Sequence, residues 1–259
     1  MKNFKSLIIC TMFVLGATMA QAQNRGLEIA TKSYDQDKGF QNYSVNVSML
    51  LSNGKGKEIT RNLIMKVLEV KDDGNKSLME FENPADVKGT VVLTFTHRTK
   101  DNDQWLYLPA LGRVKRISAS SKSGSFLGSE FAFEDLASPE IEKFTFKFLN
   151  ESTWNTKNVY VVERVPNDKN SGYSKQLVYY NVDNYLVEKI EYFDRKSAHV
   201  KTLEFIGYEV FENGIAKPST LLMKNQKNGK ATSLNYTNYK FKDVTIRELD
   251  FSPTGMEGL

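Results

Sequence analysis

From residue 40 onward, turn-forming clusters recur along this chain, many of them ten to thirty residues apart, and this constrains the fold more than any other feature. They include Ser52-Asn53-Gly54, Asp72-Asp73-Gly74-Asn75, Lys100-Asp101-Asn102-Asp103, Asn167 to Gly172, Asp183-Asn184, Glu212-Asn213-Gly214 and Asn228-Gly229. Asn-Gly and Asp-Gly supply the positive φ that tight hairpin turns require. Between them lie runs rich in Val, Ile, Thr, Tyr and Phe, residues that suit a pleated surface. Residues 41–51 are the clearest: Tyr43, Val45, Val47, Met49 and Leu51 alternate with Asn42, Ser44, Asn46 and Ser48. One face of that strand is apolar and the other wet. Phe144, Phe146 and Phe148 repeat the device, as do Leu186, Ile190 and Tyr192 with Glu188 interrupting. Across 234–241 the phase slips between Tyr236 and Tyr239, which predicts a bulge. The expected fold is mainly β, one large curved antiparallel sheet or an incomplete barrel.

Helix is scarce. Residues 25–38 carry Leu27, Ala30, Thr31 and Tyr34 at i, i+3, i+4 and i+7, enough for one short amphipathic helix. A further short turn fits between Phe133 and Phe144, interrupted by Pro139. Without an internal repeat or a break in composition, residues 23–259 are expected to form a single domain.

Residues 1–22 read as an export signal. Lys2 and Lys5 precede an apolar run from Leu7 to Leu15, and the stretch ends in Ala20-Gln21-Ala22, an A-x-A cleavage pattern. The apolar run is shorter than the roughly 20 residues of a spanning helix, although no charge falls between Lys5 and Arg25 and an uncleaved single-span anchor is the competing reading. Cleavage would leave Gln23 as the new terminus and remove Cys10, the only cysteine. Thiolate, disulfide and Cys-zinc chemistry are thereby excluded from the exported chain. It would keep 33 basic against 31 acidic residues, too even a balance for a nucleic-acid binder.

Catalytic residues are few. His97 and His199 are the only histidines, and no G-x-S-x-G elbow, glycine-rich dinucleotide fingerprint or Asp-x-Asp-x-Asp-Gly loop occurs. Asp101 and Asp103 read as solvated turn residues, and Glu130, Glu134 and Asp135 have no spacing that fixes them as an acid–base pair. Neither a catalytic site, a metal nor a cofactor is expected.

The stretch from 104 to 136 stands apart. Trp105 and Tyr107 alternate with Leu106 and Leu108, so both faces of one strand are apolar, as for a strand covered on one side and facing a cavity on the other. After Pro109 to Gly112, Arg113 and Lys115 share one face and Val114 and Arg116 the other. An arginine beside large aromatics serves as a cation–π partner, a clamp on a carbonyl or a seat for an anionic head group.

W-L-Y-L-P-A-L-G-R-V-K-R-I (105–117), followed by S-F-L-G-S-E-F-A-F-E-D-L (125–136), resembles the signature of a LolA-like family of outer-membrane lipoprotein-sorting proteins. Residues 84–93, the stretch 218–223, Thr232 and Tyr239 fit the same pattern, so the resemblance runs over residues 25–250. Glu130 stands where the family more often has Asp. The resemblance implies a half-open, strongly bent antiparallel sheet with short helices across its concave side. That concavity shelters acyl chains in transit through the periplasm, and the subgroup is often associated with RND-type exporters. Fold-level similarity licenses a binding cavity rather than its ligand.

The expectation is therefore a periplasmic, non-enzymatic carrier of a lipid or acylated lipoprotein, working beside an inner-membrane RND-type exporter and touching the membrane only peripherally. Trp105, Tyr107, Phe126, Leu127, Phe131 and Phe133 are the expected cavity or lid residues, with Arg113 and Arg116 as head-group or clamp residues. The alternative is an accessory module that docks on an envelope exporter through its sheet surface and carries no lipid. A third reading is a hydrolase of an envelope lipid. Under the carrier reading Trp105→Ala cuts lipid uptake first; under the module reading it abolishes partner binding.

Overall fold

In the computed structural model, which describes residues 20–212 and 214–258, nearly every expected turn closes a hairpin. The chain lays down thirteen strands in order. The first six are β1 (Asn42–Ser52), β2 (Glu58–Leu68), β3 (Lys76–Asn83), β4 (Val91–Phe95), β5 (Asp103–Leu108) and β6 (Arg113–Arg116). The remainder are β7 (Phe144–Trp154), β8 (Lys157–Pro166), β9 (Tyr173–Asn181), β10 (Val187–Asp194), β11 (His199–Val210), β12 (Ala216–Asn225) and β13 (Ala231–Phe241). All lie antiparallel in one open sheet ordered β6-β5-β4-β3-β2-β1-β13-β12-β11-β10-β9-β8-β7. A helix, α1, runs over residues 20–35 among those described.

The order has a topological consequence. β1 pairs with β13, so the first and last strands meet in the middle of the sheet, and the two free edges are β6 and β7, consecutive in sequence. Residues 117–143 join those edges and must cross the opening between them. Their hydrogen bonds measure the curvature. Gln104 on β5 donates to the Phe133 carbonyl at 2.9 Å, while Tyr173 on β9 donates to Asp135 at 2.9 Å. In a flat sheet those strands, nine places apart, would be separated by about 43 Å. Two residues of a connecting segment reach both, so the sheet is bent into a half-open trough with residues 117–143 strapped across it.

The alternation read from β1 holds: Val45, Val47 and Met49 are buried on the inner face. The expected bulge in β13 is present, for the register on β1 passes from Ser44↔Lys240 to Asn46↔Thr237 with Asn238 at φ 59°. On β10 the interrupting Glu188 marks a real irregularity, a register shift between Val187 and Lys189, and its buried carboxylate is met by Lys157 and Asn181. Pro139 separates two 3-10 turns, Phe133–Leu136 and Ile141–Lys143. The turn at 212–214 joins β11 to β12, with Asn213 outside the described residues. So are residues 1–19 of the expected export signal, Cys10 included; α1 runs through the expected cleavage point. No helix among the described residues is long and apolar enough to cross a membrane.

Two apolar clusters form on opposite faces. The larger gathers the inner faces of β1, β2, β8, β9 and their neighbours with Ile29 and Ala30 of α1 and with Phe126, Phe131 and Phe133 of the strap. Gly26 brings α1 against the β7 backbone, where an added Cβ would stand 2.6 Å from the Phe148 nitrogen. The smaller cluster lies on the outer face: Leu78, Val91 and Leu93 pack under Ile246, Phe251 and Met256 of the C-terminal segment. Trp105, Tyr107 and Val114 belong to this outer cluster.

Candidate functional site

Between the inner face of the sheet, α1 and the strap lies a cavity of about 1320 Å³. Its apolar wall is made by strand positions that alternation turns inward, including Met65 of β2, Leu203 and Phe205 of β11, Leu221 of β12, and Tyr236 and Tyr239 of β13. Burial raises both of these tyrosines well above the ordinary phenol range, so they are neutral hydroxyls. The other end is polar. Lys122 and Lys143 of the strap line it, their charge disfavoured by burial and the pKa of each lowered, with Asp168 and Asn102 as their respective partners. Lys217 of β12 is buried beneath the end of α1. Burial works against its charge, but Tyr43, Asp37 and Glu69 outweigh that and raise its pKa.

The strap is clasped from several sides. Asp135 accepts from the Ala132 amide at 2.7 Å, from the Tyr173 hydroxyl at 2.9 Å and from Lys201 Nζ at 3.2 Å, and its side chain is 3% exposed. Glu134 accepts from Ser171 Oγ at 2.7 Å and from the Gly172 amide at 2.8 Å. Glu130 accepts from Asn225 at 2.6 Å, and Arg61 donates to the Leu127 carbonyl at 2.6 Å. The carboxylates that offered no acid–base spacing in sequence are thus fastenings, each committed to a partner on the sheet or its turns.

Glu140 continues this pattern and has a pH consequence. It is 2% exposed and accepts the Tyr34 hydroxyl, tying the strap to α1. Burial raises its pKa, so the folded chain holds this proton to higher pH than the unfolded chain. The contribution is complete below the ordinary carboxylate range and is lost as pH rises through the raised value. Glu140→Gln should remove that slope. Urea midpoints measured from pH 4 to 8 should fall with pH in the wild type relative to the variant; parallel curves would show that this carboxyl does not titrate differently on folding.

The residues expected to form the site are dispersed. Phe131 and Arg116 line the cavity. Phe126 of the strap is fully buried, with its ring 5.6 Å from Phe133 and 6.0 Å from Phe81; these are core contacts. Leu127 is half-buried at φ 47°, in the turn that closes the strap's Ser125–Ala132 bridge. Trp105 and Tyr107 do not line the cavity. The alternation of β5 sends them outward, Trp105 edge-on to Phe95 at 5.0 Å, and turns Leu106 and Leu108 into the inner cluster. Arg113 is exposed on β6, and Arg116 pairs with Asp103. Asp103 is therefore not a solvated turn residue: together with Asp73, at 3.2 and 2.7 Å, it occupies both ring nitrogens of His97.

Most of the wall, Met65, Leu203, Phe205, Leu221 and Tyr236 among it, carries no signal in the sequence beyond strand alternation, and one charged cavity residue was missed with it. Arg164 of β8 is 8% exposed and lies on the inner face. The signal was present in Val162-Glu163-Arg164-Val165, where alternation sends Arg164 to the same side as Val162, but the charge itself argued for the outer face.

Comparison with known proteins follows the same lines. A family model described only as an uncharacterized protein matches residues 73–257. No curated protein matches the chain. Among solved structures it is similar to a domain from Vibrio parahaemolyticus described as an outer-membrane lipoprotein-sorting protein. The identity is 42%, over 91% of this chain and 99% of that one, with a TM-score of 0.88. It is similar to a DUF1329 family protein from Desulfovibrio piger at 28% identity over 91% and 99% of the two chains, with a TM-score of 0.85. A LolA superfamily protein, NE2245 of Nitrosomonas europaea, shares the fold at a TM-score of 0.69 and 21% identity, over 87% of this chain and 96% of that one.

Proposed function

Because the chain belongs to the LolA-like family of outer-membrane lipoprotein-sorting proteins, we propose that it is an exported, non-enzymatic carrier. In this reading the trough holds the hydrocarbon of a lipid or lipidated protein on its way through the periplasm toward the outer membrane. The supporting observation is the cavity of about 1320 Å³ between the sheet, α1 and the strap, walled on one side by inward aliphatic and aromatic side chains. It exceeds the roughly 300–1,000 Å³ of ordinary small-molecule sites. Each methylene moved from water into such a wall contributes about 0.8 kcal/mol, so a long chain is held without any covalent step. Met65 supplies an unbranched, polarizable surface that adapts to chains of different shape. Export rests on residues 1–22, and the RND-type exporter implied by the resemblance is the proposed source or destination of the cargo.

Filling the trough tests this. Leu221 lines the cavity opposite Leu234 of β13 and Phe205 of β11. Leu221→Trp should leave the fold intact and lower retention of co-purifying lipid at least tenfold. Native mass spectrometry of wild type and variant, both taken from the envelope in which they are made, reads the difference. A wild-type protein that carries no lipid and takes up none would end the carrier reading and hand the function to the docking alternative.

A further inference from the structure

The inner face of β8 holds a charge with no counter-ion. Arg164 stands in register with Phe146 on β7 and Gln176 on β9, on the same face as Val162, Val178 and Tyr180 of the inner core. Its Nε donates to Gln176 Oε1 at 2.5 Å, and its guanidinium lies 4.8 Å from the centre of the Phe144 ring. No carboxylate is within ion-pair distance of it among the described residues, although it is 8% exposed. The nearby acids are engaged elsewhere: Glu163, the preceding residue, faces outward to Lys175, and Asp135 is held by Tyr173 and Lys201. Among the described residues the fully enclosed side-chain atoms without a partner are Asn42 Oδ1 and Arg61 Nε, so the two terminal nitrogens of Arg164 are not sealed in the core, and the residue lines the cavity.

Burying a guanidinium without an anion is costly, and the cost is offset when an anion arrives. Arg164 differs in this from Lys122, whose ammonium already meets Asp168; Lys143, half-buried in the strap, meets only the amide oxygen of Asn102. Its two terminal nitrogens form a planar end-on fork that matches the two oxygens of a carboxylate or a phosphodiester. Phe144, Phe146 and Ile190 line the cavity beside it.

We propose that Arg164, oriented by Gln176, anchors the head of a single-chain amphiphile carrying one negative charge, enclosed within the trough with its tail along the apolar wall. This rests on the carrier reading and narrows it: the head of such a guest lies inside the cavity, where a lipoprotein would leave its protein part outside.

The test compares sixteen-carbon ligands in displacement of a fluorescent fatty-acid analogue from the delipidated full-length exported protein. Palmitate and palmitoyl-lysophosphatidylglycerol carry the charge; hexadecanol does not. The wild type should bind at least one charged ligand roughly tenfold or more tighter than hexadecanol, the scale of a charge-assisted hydrogen bond. Whichever charged ligand wins identifies the head as carboxylate or phosphodiester. Arg164→Met should erase the preference, leave hexadecanol binding unchanged and keep or raise Tm, since an unpaired buried charge is removed. Equal binding of all three by the wild type overturns the anchor and leaves the apolar cavity standing. A preference that survives in R164M, or a Tm loss with all affinities falling together, overturns it too. Failure of every ligand to bind overturns both the anchor and the carrier reading.

Discussion

Asp135→Ala should destabilise the protein by about 3–5 kcal/mol, the largest effect expected of any single change in the strap. The carboxylate is almost fully enclosed, and removing it leaves the Tyr173 hydroxyl without its acceptor and the Lys201 ammonium, 16% exposed, without its counter-ion and with only the Tyr173 oxygen, at 2.8 Å, to donate to. It also frees the Ala132 amide at the start of the 3-10 turn. Burial already holds the Tyr173 phenol far above its ordinary range, so that group cannot ionise to compensate. Denaturant unfolding measures the loss. The double variant Asp135→Ala/Lys201→Met should recover part of it, because it removes the orphaned charge as well. If D135A unfolds like the wild type, the strap is not fastened by this cluster and residues 117–143 are free to act as a lid.

Trp105→Ala should cost about 3 kcal/mol, the lower end for loss of a buried tryptophan, because the ring is only half-buried. The effect should appear at the C-terminal segment. Trp105 packs in the outer cluster with Phe95 and beneath Ile246, Phe251 and Met256, so hydrogen exchange at residues 243–258 should rise sharply in the variant. Affinity for a hydrocarbon guest should be unchanged at temperatures where the variant is folded. This reverses the ordering expected from sequence, where the same change strikes lipid uptake first. Lost uptake with undisturbed exchange at 243–258 would place the ring back in the binding path.

Together the two changes separate the strap from the outer cluster. The S-F-L-G-S-E-F-A-F-E-D-L block supplies three phenylalanines to the inner core and three carboxylates to the clasp. Its bonds tie β2 and β5 on one side of the trough to β9, β11 and β12 on the other. The open space then belongs to strand positions in β2, β11, β12 and β13, together with Arg164 of β8, that carry no conspicuous motif.

What the sequence determined by itself is whatever depends on neighbours in the chain. Strand β1, the bulge before Tyr239, the interruption at Glu188, the break at Pro139 and the hairpin turns were legible because φ preferences and period-two burial act over a few residues. Which face of β5 points inward was not local. Both faces are apolar, and only the packing of a C-terminal segment more than a hundred residues away assigns Trp105 to the outside. Likewise the roles of Asp135, Glu140 and Arg164 follow from pairings between distant strands and the strap: a charge in a sequence reads as solvated until the fold shows what encloses it. Alternation predicts that a strand has two faces; only the closing of the sheet decides which of them surrounds empty space.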